Sequence, residues 1–185
     1  MNPIDARLVR DTLYTPALED VTAAARAALE PVLRAAGVRP GARVALTGGS
    51  RGIGRIGEIL RGSCDAVRAL GAEPFVVASM GSHGGGTGEK QRTLLAHLGM
   101  TEASVGAPIE SEMDVVDVGR TSEHGIEVVC DARAARADAI VLVNRVKPHT
   151  EFRGTIESGL LKMAALGLGK AVGAVRYHAA CARHG

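Results

Sequence analysis

Apolar positions in this chain fall into short continuous blocks that alternate with stretches of helical spacing. RVALT (43–47), PFVVAS (74–79) and DAIVLV (138–143) are compact apolar runs, with the length and branching of strands buried in a parallel sheet. Between the first two, Arg55 to Leu70 carries apolar residues at helical spacing and is followed by Gly71, a helix-ending glycine. An earlier helix is predicted over Ala17 to Ala36. Glu19 and Asp20 fall in its first turn, where the helix dipole favours acid, and Gly37 with the Arg39–Gly41 turn ends it. A third helix opens after the glycine-rich MGSHGGGTGEKQ and runs to about Leu98. Residues 101–124 predict mostly irregular chain with one short strand in MDVVDVG. Ile126 to Cys130 predicts another strand, and Ala132 to Ala137 a short helical link. This alternation predicts one α/β domain over residues 1–185, with a largely parallel sheet and helices on both faces.

Such sheets bind ligands at the carboxyl ends of their strands. Beyond Val143, the end of the most continuous apolar run, the chain supplies Asn144, Arg145, Lys147, His149, Glu151 and Arg153. No core needs that density of polar groups. GLLKMAALGL (159–168) then predicts an almost wholly apolar helix with Lys162 inside it. A lysine so placed is either snorkelling to solvent or held in a pocket.

Composition narrows the partners. With no Trp, two Tyr and two Phe, the chain lacks the stacking platforms of single-stranded nucleic-acid binders. A net charge of +2 gives no electrostatic footprint for DNA or a membrane. Cys64, Cys130 and Cys181 lie far apart, without a CxxC pair, as reduced thiols of a cytoplasmic protein do. No apolar run reaches the length of a membrane span, and the amino-terminal residues form no apolar signal region.

VALTGGSRGIG (44–54) is the most conspicuous local match. Thr47, Gly48, Gly52 and Gly54 satisfy the TGxxxGxG turn of NAD(P)-dependent short-chain dehydrogenases, in which a strand runs into a glycine turn and a pyrophosphate-holding helix. The rest of that pattern is missing. The second strand ends Ser79-Met80-Gly81 rather than in a ribose-reading acid, and Tyr14 and Tyr177 are followed four positions later by Leu18 and Cys181, not lysine.

Four motifs taken together resemble another family. GSRGI (49–53), GSHGGGT (81–87), NRVKPHT (144–150) and ESGLLKM (157–163) are similar, in this order, to the nickel-pincer lactate racemases, in the branch of less characterised homologues. The resemblance covers about Arg43 to His178. It implies the amino-terminal α/β domain of a two-domain enzyme, a racemase or epimerase that moves hydride between a small 2-hydroxy acid and a nickel-pincer nucleotide. His83 and His149 match the two catalytic histidines, one base for each face of the substrate. Arg51 matches the arginine that holds the substrate carboxylate, although an arginine there serves a phosphate equally well. Lys162 matches the lysine bearing the cofactor. His178, sixteen residues later, matches the nickel-ligating histidine, and Ser50 and Gly52 fall on the cofactor-binding loop. Gly48 stands where the family has an aspartate.

The family also implies cofactor-maturation enzymes as partners, and a carboxy-terminal domain or partner chain that closes the site. Without such a domain the 185-residue chain is expected to turn over weakly or not at all. Beside this stand two alternatives, the nicotinamide-dependent dehydrogenase and a non-catalytic remnant that binds a nucleotide or a partner.

Overall fold

The computed structural model describes residues 17–50, 52–147 and 159–184. Its core is a four-stranded parallel sheet in the order β3-β2-β1-β6. β1 (Arg43–Gly48) and β2 (Glu73–Ala78) pair in register from Arg43 opposite Glu73 to Gly48 opposite Ala78, and both are buried after their first residue. Burial on two faces is what their unbroken β-branched and aliphatic runs dictate.

One face of the sheet packs Val44, Leu46, Val76 and Ala78 against Ile56, Leu60, Cys64 and Val67 of α2 (Ile56–Ala69) and Leu95 of α3 (Gly88–His97). α1 (Val21–Ala35) lies outside α2 and adds Leu33. The two helices approach closely because a Cβ at Gly62 would stand 2.1 Å from the Thr22 carbonyl oxygen. Asp20 is the N-cap of α1, not a first-turn acid as the sequence predicts, and its side chain accepts from the Ala23 amide. On the other face Ala45, Phe75 and Val77 meet Ala134, in a short 3-10 turn, and Leu168.

Residues 101–124 hold more structure than their sequence suggests. α4 (Glu102–Val105) is a single turn closed by a Thr101–Ser104 capping box. β3 (Ile109–Glu110) is a two-residue edge strand beside β2. β4 (Val115–Arg120) and β5 (Glu127–Asp131) form a separate antiparallel hairpin. β4 and β5 fall where MDVVDVG and Ile126–Cys130 predict strands, whereas α4 and β3 are too short to show any periodicity before pairing.

Two other expectations are corrected. Only Ala139–Val141 of the DAIVLV run pair with β1, as β6, and Ile140 is 39% exposed because this is an edge strand. The GLLKMAALGL segment is no regular helix. α5 (Leu160–Lys162) is three residues long and passes into a π-turn over Met163–Gly167, with Leu160 and Leu161 about half exposed. α6 (Lys170–His184) follows.

Candidate functional site at the strand ends

β2 and β6 flank β1 on opposite sides, so β1 and β6 form the switch point of the sheet, the place where open α/β sheets hold a ligand crevice at the carboxyl ends of their strands. Thr47 marks the opening. Regular β1–β6 pairing covers Leu46 opposite Val141, and past it the Thr47 hydroxyl takes over, accepting from the Val143 amide at 2.8 Å. Beyond β6, the Asn144 side chain donates to the Gly159 carbonyl at 2.5 Å and accepts from the Arg145 amide at 2.8 Å. Arg145 donates on to the Gly52 carbonyl at 3.3 Å, joining the loops after β1 and β6.

Ser50, two residues past β1, and His83, five past β2, meet at these ends. The Ser50 hydroxyl lies 2.5 Å from His83 Nδ1. His83 is exposed, in a turn whose carbonyl groups at Gly81 and His83 are both held by the buried Gln91 side-chain amide. That amide fixes the loop from the buried side while His83 itself is exposed.

The α5 segment covers the same ends. Met163 is buried, and a Cβ built on Gly49 would stand 2.9 Å from its methyl group. Met163 therefore fills the space directly over the first glycine turn. Lys162, its neighbour, is half-buried. α6 approaches from the far side. A Cβ at Gly86 would lie 3.4 Å from the Ala171 Cβ, and one at Gly81 3.7 Å from the Ala174 Cβ. His178 is one helical turn beyond Ala174 and two beyond Ala171, on the face these alanines turn toward the His83 loop. It is exposed, with its ring edge-on to Tyr177.

The structure thus brings Ser50, Gly52, His83 and Lys162 to one end of the sheet, with His178 on the helix face turned toward that end. Arg51 and His149 lie outside the described residues. Among the described residues no three His, Cys, Asp or Glu side chains converge. The side chains Arg145, Lys147 and Lys162 give the segments around the crevice a cationic character suited to carboxylates and phosphates. Cys64 and Cys130 are poorly suited to act as nucleophiles here. Burial pushes Cys64 up to about 12, and burial beside Asp131 raises Cys130.

Gly48 has a structural reason. A Cβ there would stand 3.1 Å from Val76 Cγ1 and 3.3 Å from Leu95 Cδ2, inside the apolar core. An aspartate at this position would bury its carboxylate against hydrocarbon, so this chain has no such acid to offer the site.

Sequence reasoning missed one pair altogether. Lys170 and Asp131 are both fully buried, with Nζ 2.8 Å from Asp131 Oδ2. Nζ also donates to the Ala78 carbonyl at 2.6 Å. The carboxylate contact is close but off the hydrogen-bond direction, so Coulomb attraction carries it. Asp131 Oδ1 meanwhile accepts the Arg133 and Ala134 amides. The sequence offers one hint, a lysine directly after an apolar GLG, and none of its partner 39 positions earlier. Among the described residues no helix is long and apolar enough to cross a membrane. Neither a family model, a curated protein nor a solved structure matches this chain.

Proposed function

We propose that this α/β domain belongs to a racemase or epimerase of small 2-hydroxy acids that works with a nickel-pincer nucleotide. The observation that carries the reading is the Ser50–His83 contact at the carboxyl ends of β1 and β2, where an open α/β sheet binds its ligand, with the segment that bears Lys162 lying over the same ends through Met163. His83 is the base for one face of the substrate, taking the proton of its hydroxyl. His149 takes that part on the other face, and Arg51 holds the carboxylate.

The donor set fits the cofactor. Lys162 supplies an amine for covalent attachment, and His178 supplies one imidazole from a helix face turned toward the same loop. When bound, the nucleotide would accept hydride from the substrate carbon and return it. The free thiols Cys64, Cys130 and Cys181 accord with a cytoplasmic setting. The enzymes that build the cofactor, and a carboxy-terminal domain or partner chain over the crevice, complete the reading.

One observation favours the dehydrogenase instead, since the order β3-β2-β1-β6 matches strands 3-2-1-4 of a dinucleotide-binding sheet. Against it, the second strand ends in Ser79-Met80-Gly81, with no acid to read a ribose, and neither tyrosine is followed four positions later by lysine.

The test is intact mass and nickel content after co-expression with the cofactor-building enzymes, with Lys162→Ala in parallel. A nickel-bearing adduct present in the parent and absent from the variant supports the reading. An unmodified parent that binds NADH saturably, with binding abolished by Gly52→Asp, would replace it with the dehydrogenase. A parent that binds neither would leave the non-catalytic remnant.

A further inference from the structure

Lys170 is a wholly enclosed cation that no proton or carboxylate step above employs. Its backbone is left-handed, with φ at 55°, a region where glycine would sit without strain. Gly169 is its neighbour, yet the left-handed position is occupied by lysine, so the side chain is what this position requires. Stability alone does not explain it, because buried ion pairs are matched or exceeded by apolar groups of similar size.

The contacts of this side chain say where it acts. Nζ grips the carbonyl of Ala78, the last residue of β2, five positions before His83. It also grips Asp131 at the end of β5, while the Asp131 amide donates to the Leu168 carbonyl at 2.7 Å. The turn between α5 and α6 is therefore held to both sheets at one point. The segment it anchors has little regular helix of its own, being three α-helical residues followed by a π-turn, and its other hold is the packing of Met163 and Leu168.

We propose that the Lys170–Asp131 pair is a positioning device: it fixes the 159–170 segment on the end of β2 and so sets where Lys162 and the first turns of α6 stand relative to the His83 loop. Its functional sense rests on Lys162 being a site residue. The pinning itself is measured without that premise.

The test compares the parent with Lys170→Met/Asp131→Asn, which removes both charges while the asparagine oxygen still accepts the Arg133 and Ala134 amides. Acylation of Lys162 is read by mass spectrometry against Lys90, an exposed lysine on α3. With a parent-like urea midpoint, the variant is expected to acylate Lys162 about threefold faster relative to Lys90, because the segment opens locally. An unchanged ratio at an unchanged midpoint overturns the proposal, since a pair that only stabilised the fold would leave Lys162 as it was.

Should the variant not fold, hydrogen exchange on the natural chain decides. Amides of residues 163–170 are expected to exchange as slowly as those of β1 and β2. Exchange of that segment far faster than β1 and β2 would sink the proposal. Whether Lys162 carries a cofactor is read separately from the mass of the natural chain, so failure of that reading leaves the acylation result standing.

Discussion

Arg55 and Lys170 enter α2 and α6 in the same unusual backbone state, at φ 56° and 55°, and are otherwise opposites. Arg55 is solvent-facing. Its guanidinium meets Glu58, three residues on, at 2.5 and 2.7 Å, and donates to the Leu18 carbonyl. Lys170 is sealed from water and meets a carboxylate from another sheet and a carbonyl from β2. At the solvated joint the charge is balanced by a carboxylate three residues on and remains hydrated, although the guanidinium also reaches back to the Leu18 and Glu19 carbonyls. At the buried joint, charge and backbone depend on elements far away in sequence. The first pair decorates a turn. The second decides where two segments meet.

The contrast breaks most directly at Lys170. Truncation by Lys170→Ala leaves the Asp131 carboxylate buried without its counter-charge, and such one-sided removals cost about 3–5 kcal/mol. A urea titration followed by circular dichroism would measure it. A loss no larger than that of an Arg55 variant would mean that water reaches Asp131 and that the two joints differ less than their burial suggests.

Gly48→Asp should have a smaller but clear effect. The position points at Val76 and Leu95, so overpacking alone costs about 1–3 kcal/mol, before the burial of a charge is counted. Thermal unfolding would register the loss. A variant as stable as the parent would show that the end of β1 can turn this side chain into the crevice, where an aspartate could serve the site.

These positions also show how far the sequence could be read. β1, β2, α1, α2 and α3 were legible because each owes its form to a local pattern, such as the apolar run of RVALT or the Leu60, Cys64 and Val67 stripe closed by Gly71. β3 was not, since two residues become a strand only by lying beside Val76 and Val77. The α5 segment misled because an apolar run of ten residues has the composition of a buried helix. Whether it is one depends on Gly49 and Ser79, over which Met163–Gly167 must fit.

The crevice was legible in outline, since glycine-rich loops with polar residues after strands announce a strand-end site. The Ser50–His83 contact and the Lys170–Asp131 pair were not, because each joins residues 33 and 39 positions apart whose meeting is set by sheet order.

The smallest effect is expected at Arg55, and its sign should change with pH. Arg55→Gly relieves the left-handed backbone but removes the partner of Glu58. In the parent, the hydrogen bond and charge of Arg55 hold the Glu58 carboxyl below its ordinary value of 4.5. A depressed carboxylate contributes stability above its unfolded-state pKa, and that contribution is lost as the pH falls through the folded-state value. Near neutral pH the variant lacks this contribution and gains the backbone relief, so the two nearly cancel. Below the folded-state value the parent has lost the pair as well, and what separates them is the backbone gain set against the pH-independent loss of the bonds to the Leu18 and Glu19 carbonyls. Melting temperatures across the acid limb should therefore move in favour of Arg55→Gly as the pH falls. A difference that stays constant with pH would mean that the Arg55–Glu58 pair contributes nothing in solution, while a large loss at neutral pH would make this solvated joint as dependent on its side chain as the buried one.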